Sequence, residues 1–198
     1  MRRIATMPEV IRSSDGKPAI DEAYAISLCS LHAGESLFGI DTTTIREVLG
    51  KRALQRVPLA PAFIAGIASY RGEILTTISL RALLGLPAMA SESCVMVLED
   101  EASADRFGLM VDSVGGVLLA DRRTHAANPT TLDERRASLF DGLFRLPQGL
   151  VIQLTPGKLR PVLLGQSDLF RGGGRYPHAA LATHAVPALR RVSDEGAR

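Results

Sequence analysis

The chain has 198 residues, 46% of them hydrophobic and 22% charged, the balance of a folded globular protein rather than a disordered one. Its net charge is +2, and that excess lies from Gln166 onward, where Arg171, Arg175, Arg190, Arg191 and Arg198 face Asp168, Asp194 and Glu195; residues 1–165 carry 18 basic and 18 acidic groups. A neutral body has no large field to gather nucleic acid or anionic lipid, and no stretch approaches the ~18 apolar residues of a membrane helix.

The opening MRRIATMPEVIRSSDGK is basic but leads into no apolar run, so it does not read as a secretory signal. A cytoplasmic protein is expected. Cys29 and Cys94 lie far apart in apolar segments, which reads as two buried thiols in a reducing compartment rather than a disulfide or metal framework. Residues 1–21 are polar and mixed, and are expected to be flexible.

From Tyr24 short apolar runs alternate with Gly and Pro, the pattern of many short strands. YAISLCSL (24–31) and LFGI (37–40) flank HAGES, a hairpin turn in which Gly34 supplies positive φ. Thr44 to Glu47 has capping-box spacing, and Ile45, Val48 and Leu49 share one face of a helical turn, so a turn of helix is predicted there. Pro58 and Pro61 hold an extended loop. IASY (67–70) and EILTTISL (73–80) form a hairpin across Arg71–Gly72. Ser79 then caps a short helix that Gly85 closes and Pro87 prevents from continuing.

Strands follow at 93–99, 107–114 and 117–120, with EASAD a turn between the first two. Thr131 and Glu134 form a second capping box over 131–139. Strands 142–147 and 150–154 meet at Gln148–Gly149, and Thr155 caps a helix with Pro156 at its first position. The segments 66–85 and 142–165 echo one another: Gly66, Gly72 and Gly85 are followed by Gly142, Gly149 and Gly165 at offsets of 76, 77 and 80 residues. This suggests two similar small barrels, mainly β with a few short helices, packed on each other. After Gly165 the composition turns to Gly, Ala, Pro and Arg without period, and 166–198 reads as a disordered tail.

Catalytic chemistry has no foothold in this pattern. His32, His125, His178 and His184 lack metal-pair spacing, and neither a nucleophile elbow nor a phosphate-binding loop is present. Glu99, Asp100, Glu101 and Asp105 read as a solvated hairpin tip. The pairs Arg122–Arg123 and Arg135–Arg136 lack the interleaved aromatics that stack bases.

The segment RVPLAPAFIAGIASYRGEILTTISLRALLGL (56–86) resembles the central signature of CheW-like chemotaxis coupling proteins, through Val57, Pro58, Pro61, Phe63, Gly66, Arg71, Gly72, Leu80, Arg81 and Gly85. IREV (45–48), GLMVDSV (108–114) and FDGLFRLPQGLVIQL (140–154) extend the likeness over about 22–165. The resemblance implies two SH3-like five-stranded barrels sharing a hydrophobic core, the first roughly 35–90 and the second roughly 91–150, with terminal strands crossing over. It implies a non-enzymatic adaptor, without cofactor, that joins chemoreceptor tips to a CheA-type histidine kinase. Ile45, Glu47 and Val48 match positions on the kinase side, and Gly66, Ser69 and Arg71 match or adjoin the receptor side.

Local roles stand beside these. Ile45 and Val48 also fit core side chains, Glu47 a helix cap, Gly66 a tight backbone approach, and Arg71 a fork that pins loop carbonyls at its own hairpin. Where the family has Asn this chain has Ser69, and Thr76-Thr77-Ile78-Ser79 replaces its Pro-Val-Ile-Asp run; Thr155 replaces an Asp. Ser79 and Thr155 keep capping chemistry. The alternative reading is a small β-barrel nucleic-acid binder using the loop arginines and the basic tail.

Overall fold

The computed structural model describes residues 20–88, 93–100, 102–130 and 132–171. The strands are β1 (Ala25–Ala33), β2 (Ser36–Asp41), β3 (Ile45–Lys51), β4 (Ile64–Tyr70), β5 (Glu73–Ser79), β6 (Cys94–Glu99), β7 (Arg106–Val111), β8 (Ser113–Asp121), β9 (Phe140–Leu146) and β10 (Gly149–Leu154). The helices are short: α1 (Leu80–Leu83), α2 (Glu134–Leu139), α3 (Pro156–Leu159), α4 (Pro161–Gln166) and α5 (Asp168–Arg171).

Two five-stranded sheets form, ordered β3-β6-β7-β5-β4 and β8-β1-β2-β10-β9. The first barrel is therefore contiguous, whereas the second completes itself with the β1–β2 hairpin from the start of the chain. This division differs from the expected boundaries of 35–90 and 91–150, because β6 and β7 pair with β3 and β5 in the first sheet. The plan repeats closely. Each sheet holds two antiparallel hairpins joined by one parallel pairing, β5 with β7 and β10 with β2.

Each sheet then closes on itself through one bridge. Gln55 and Ile67 exchange two backbone hydrogen bonds of 2.9 Å, and Ala126 and Leu143 do the same at 2.9 Å. Gly66 and Gly142 sit beside these two seams, and the reason is space. A Cβ on Gly66 (φ 151°) would lie 2.6 Å from the Gln55 carbonyl oxygen, and one on Gly142 (φ 129°) 2.4 Å from that of Ala126. Only glycine admits so close a backbone approach in that conformation. The recurrence of Gly66 as Gly142 is thus the repeated seam of two barrels, whereas Gly149 does not repeat Gly72: the second turn is Pro147–Gln148, not Gln148–Gly149, and Gly149 begins β10 opposite Leu146.

The main core lies between the sheets. Leu31, Phe38 and Ile40 from one meet Ile78, Met96, Leu98 and Leu109 from the other, with Leu80, Leu139, Leu159 and Leu164 from the helices. A second cluster joins Ile26, Leu28, Phe144 and Val151, and a third joins Tyr70, Leu75 and Val97. Strands β1 and β6 are buried on both faces, which is why CVMVLE lacks polar alternation. Each such Leu or Phe contributes roughly 1.5–3 kcal/mol by leaving water.

A buried ion pair ties the barrels at their junction. Asp112, between β7 and β8, accepts from Arg81 Nη1 of α1 at 2.6 Å and from the Gly34 amide of the β1–β2 turn at 2.7 Å. Both charged side chains are largely buried, so the pair acts as a clasp between barrels rather than as surface decoration.

Several expectations are corrected. Residues 45–51 form strand β3, not a helical turn, because pairing with β6 outweighs the apolar spacing; the single turn that exists is 3₁₀, over Thr42–Thr44, capped by Asp41. Helix α2 is capped by Asp133, whose side chain accepts from the Arg136 amide, while Thr131 lies outside the described residues. Thr155 holds the N-cap position of α3 but makes no side-chain cap bond; its hydroxyl bonds Asp141 instead. Ordered structure continues past Gly165, since α5 buries Phe170 edge-on to Phe63 with centroids 6.2 Å apart. The expectations for 1–19 and 172–198 fall outside the described residues. Ser79 caps α1 as the sequence indicates, accepting from the Ala82 amide at 3.2 Å.

Candidate protein-interaction site

The hairpin joining β4 to β5 turns on two residues, Arg71 (φ 51°) and Gly72 (φ 87°). Positive φ at both is the type I′ turn that suits the twist of paired strands. Glycine takes this backbone without strain; arginine does not, so something must hold Arg71 there. Its guanidinium donates from Nη2 to Glu47 Oε2 at 2.9 Å and stacks over the Tyr70 ring, 5.2 Å from the centroid. The Tyr70 hydroxyl donates to the same carboxylate oxygen at 3.1 Å. Arg71 therefore pins a carboxylate across the seam rather than the carbonyls of its own loop.

This geometry unites residues that the resemblance assigned to opposite sides. Glu47 is on β3 and Arg71 follows β4, the two edge strands of the first sheet, and curling brings those edges together. The bond from Arg71, then that from Tyr70, lowers the Glu47 pKa below the usual carboxylate range. The Glu47 carboxylate stays charged at neutral pH, presented on an exposed rim.

The other candidate residues divide by exposure. Val48 is 45% exposed on β3 and is not a core side chain. Ile45 packs against the main core. Gly66 is buried at the seam, and Ser69 is exposed at the far end of β4, paired with Ile74 of β5, which is exposed too. Sequence reasoning missed Tyr70 as the third member of the Glu47 contact. It also missed Ile74 and Leu59 as exposed apolar groups. The strand alternation that exposes Ser69 predicts that its neighbour Tyr70 turns inward, so a signal for Tyr70 was present.

Elsewhere charges are satisfied locally. Glu99 is not solvated: it accepts from Arg46 at 2.7 Å and from Arg106 at 2.6 Å, and these bonds pull its pKa down to about 2. Asp100 is buried and accepts from Ser103 Oγ at 2.8 Å. Arg123 forks onto Asp121 and lies over Tyr24, Arg136 pairs with Asp133, and Arg135 lies over Phe170. These arginines are held by their own neighbours. Cys29 is buried, which raises its thiol pKa; Cys94 is only half-buried, contrary to expectation. Among the described residues no group of three or more His, Cys, Asp or Glu is placed to hold a metal, and no helix is long and apolar enough to cross a membrane.

Two small barrels thus share one core, and the first carries a rim on which the Glu47–Arg71 pair stands beside exposed Val48, the make-up of a small protein-binding module. The family follows from comparison. The CheW-like domain model matches residues 27–160. The chain is 25% identical over 147 residues to the chemotaxis protein CheW of Treponema pallidum (strain Nichols), covering 70% of this chain and 83% of that protein. It is 24% identical over 119 residues to that of Rhizobium meliloti (strain 1021), covering 60% and 77%. The solved structure of the scaffolding protein TtCheW from Thermoanaerobacter tengcongensis matches with a TM-score of 0.59 at 25% identity, over 66% of this chain and 88% of that one. The chain belongs to the CheW-like domain family.

Proposed function

We propose that this protein is a non-enzymatic adaptor that joins chemoreceptor tips to a CheA-type histidine kinase, in the cytoplasm at receptor arrays. The observation that carries the reading is the rim of the first barrel, where the Glu47 carboxylate is held by Arg71 and Tyr70 beside exposed Val48. In this reading Glu47 and Val48 face the kinase, with Ile45 supporting them from the core. Ser69 and Arg71 face the receptor, and Gly66 serves that face by closing the seam behind it. Joining the two sets through one ion pair gives contact on either side a direct route to the other.

Modest contacts suffice for such work. An interface of ~800 Å² per partner is enough for a specific complex, and avidity in an array multiplies weak single contacts. The nucleic-acid reading has less to stand on in the loops, because Arg122, Arg123 and Arg136 pair with Asp41, Asp121 and Asp133 and Arg135 lies over Phe170; its tail arginines from Arg175 onward lie outside the described residues.

The test is titration calorimetry against the regulatory domain of each CheA-type kinase in the same genome. Micromolar or tighter binding, lost in a folded Glu47→Lys variant, is the expected result. No heat with any of them, from protein shown to be folded, sinks the reading.

A further inference from the structure

The hydroxyl of Tyr70 is something the barrel does not need. Tyr70 ends β4 as Leu146 ends β9, each immediately before its hairpin turn. Both side chains pack into the small apolar cluster of their own barrel, Tyr70 with Leu75 and Val97, Leu146 against Ile26, Leu28, Phe144 and Val151. Leucine therefore meets the demand of the fold at this place, and the phenol adds a polar atom to an apolar position. A buried tyrosine hydroxyl needs a partner. Among the described residues its one hydrogen bond goes to Glu47 Oε2, at 3.1 Å.

The three members of this contact are not held equally. The Arg71 side chain is 73% exposed and that of Glu47 is partly exposed, whereas Tyr70 is buried and its ring is fixed by its neighbours. An exposed ion pair loses side-chain entropy in keeping one geometry, so the firm element here is the tyrosine. Tyr70 reaches both charges: its ring lies under the Arg71 guanidinium, and its hydroxyl donates to the same oxygen that Arg71 bonds. With both donors on Oε2, Glu47 Oε1 has no hydrogen-bond partner among the described residues. A carboxylate oxygen only accepts, so the group that meets it must be a donor.

We infer that Tyr70 is a positioning residue of the rim: its hydroxyl, fixed by the buried ring, holds the Glu47 carboxylate by one oxygen and keeps the other for a hydrogen-bond donor of the kinase. This deepens the adaptor reading, on which it rests. Glu47 touches the partner and Tyr70 acts through it. The kinase then meets a carboxylate that is already ordered, and less ordering is left to binding.

The test compares Tyr70→Phe with wild type by calorimetry against the kinase regulatory domain that the wild type binds. A melting curve and carboxyl-carbon NMR of Glu47 in the free protein are run on both. Phenylalanine keeps the ring, its packing and its place under Arg71, so the variant should melt close to wild type. Binding should weaken about 2- to 10-fold, the cost of ordering one more side chain at an interface. The Glu47 midpoint should rise, because only Arg71 and the charge of Arg52 are then left to hold the carboxylate ionised. Unchanged binding, where Glu47→Lys abolishes it, overturns this inference and leaves the adaptor intact. An unmoved Glu47 midpoint overturns it too, since the hydroxyl would then not hold the carboxylate in solution. So does a melting point well below wild type, which would assign the hydroxyl to the fold. If the wild type binds no kinase domain, the adaptor reading fails and this inference fails with it.

Discussion

The two barrels share one strand plan and differ at the rim. The row Met96–Leu109–Ile78 across the first sheet corresponds to Cys29–Ile40–Leu154 across the second. Val48 pairs with Met96 and Val117 with Cys29, so these two exposed valines occupy equivalent places, at 45% and 65% exposure. The next place along is Glu47 in the first barrel. In the second, the strand bulges at Gly115–Gly116, and Ser30 Oγ donates to the Gly116 carbonyl at 2.7 Å. The turn that holds Arg71 in the first barrel is Pro147–Gln148 in the second. What repeats is the apolar rows and the seam; what does not repeat is the carboxylate, its tyrosine and its arginine. Fold demands account for the first set, and the second set is free to serve a partner.

The seam is the hardest place to alter. Gly66→Ala and Gly142→Ala each drive a methyl into a carbonyl oxygen at positive φ, and each should cost about 3 kcal/mol or more in urea unfolding. If either were tolerated within about 1 kcal/mol, the equivalence of the two seams would be broken. The clasp comes next. Asp112→Ala removes the carboxylate that Arg81 and the Gly34 amide share at the junction and should cost about 3 kcal/mol. Unfolding should remain a single transition, because the main core draws side chains from both sheets. Two separated transitions would show that the barrels are independent units joined only by their clasp.

Much of this plan was legible because its cues are local. Alternating short strands, the turns at Gly34 and Arg71–Gly72, the Ser79 cap and the recurrence of Gly66 as Gly142 all sit within a few residues of what they determine. The failures have a common cause. Residues 45–51 carry apolar spacing that suits a helical turn, and only the distant partner β6 makes them a strand. Helix α5 is four residues long and exists because Phe170 finds Phe63, a contact that composition cannot announce. The site was half legible. Glu47 and Arg71 were singled out for separate partners, but their bond spans 24 residues and the seam between two edge strands.

That bond allows a sharper test of what the rim is for. Exchanging the charges, Glu47→Arg with Arg71→Glu, keeps an ion pair across the same seam. If the pair matters only to the barrel, the double variant should recover kinase binding that either single variant loses. If the carboxylate itself meets the partner, folding is kept and binding is not, and this second result is expected. Calorimetry with a melting curve for each variant separates the two.

The smallest expected effect is the response of the first barrel to acid, read at Glu99. Arg46 of β3 and Arg106 of β7 both donate to this carboxylate, so it fastens an outer strand to the interior of the sheet. Its folded pKa of about 2 lies below its ordinary 4.5. A depressed folded pKa means that the unfolded chain takes up the proton first. The stabilisation is therefore complete above pH 4.5 and is lost as pH falls from there toward 2. The second barrel has two lowered carboxylates, Asp141, held by Lys158 at 2.9 Å, and Asp121, held by Arg123, but the first ties β9 to helix α3 and the second bonds a residue two places along its own chain, so neither fastens one strand of a sheet to another. Acid should accordingly loosen the β3 edge, where the interaction rim lies. Carboxyl-carbon NMR of Glu99 should give a midpoint near 2, and Arg106→Gln should raise it because one of the two donors is gone. A wild-type midpoint at the ordinary value would mean that the guanidinium pair does not hold Glu99 in solution, and that the two barrels meet acid alike.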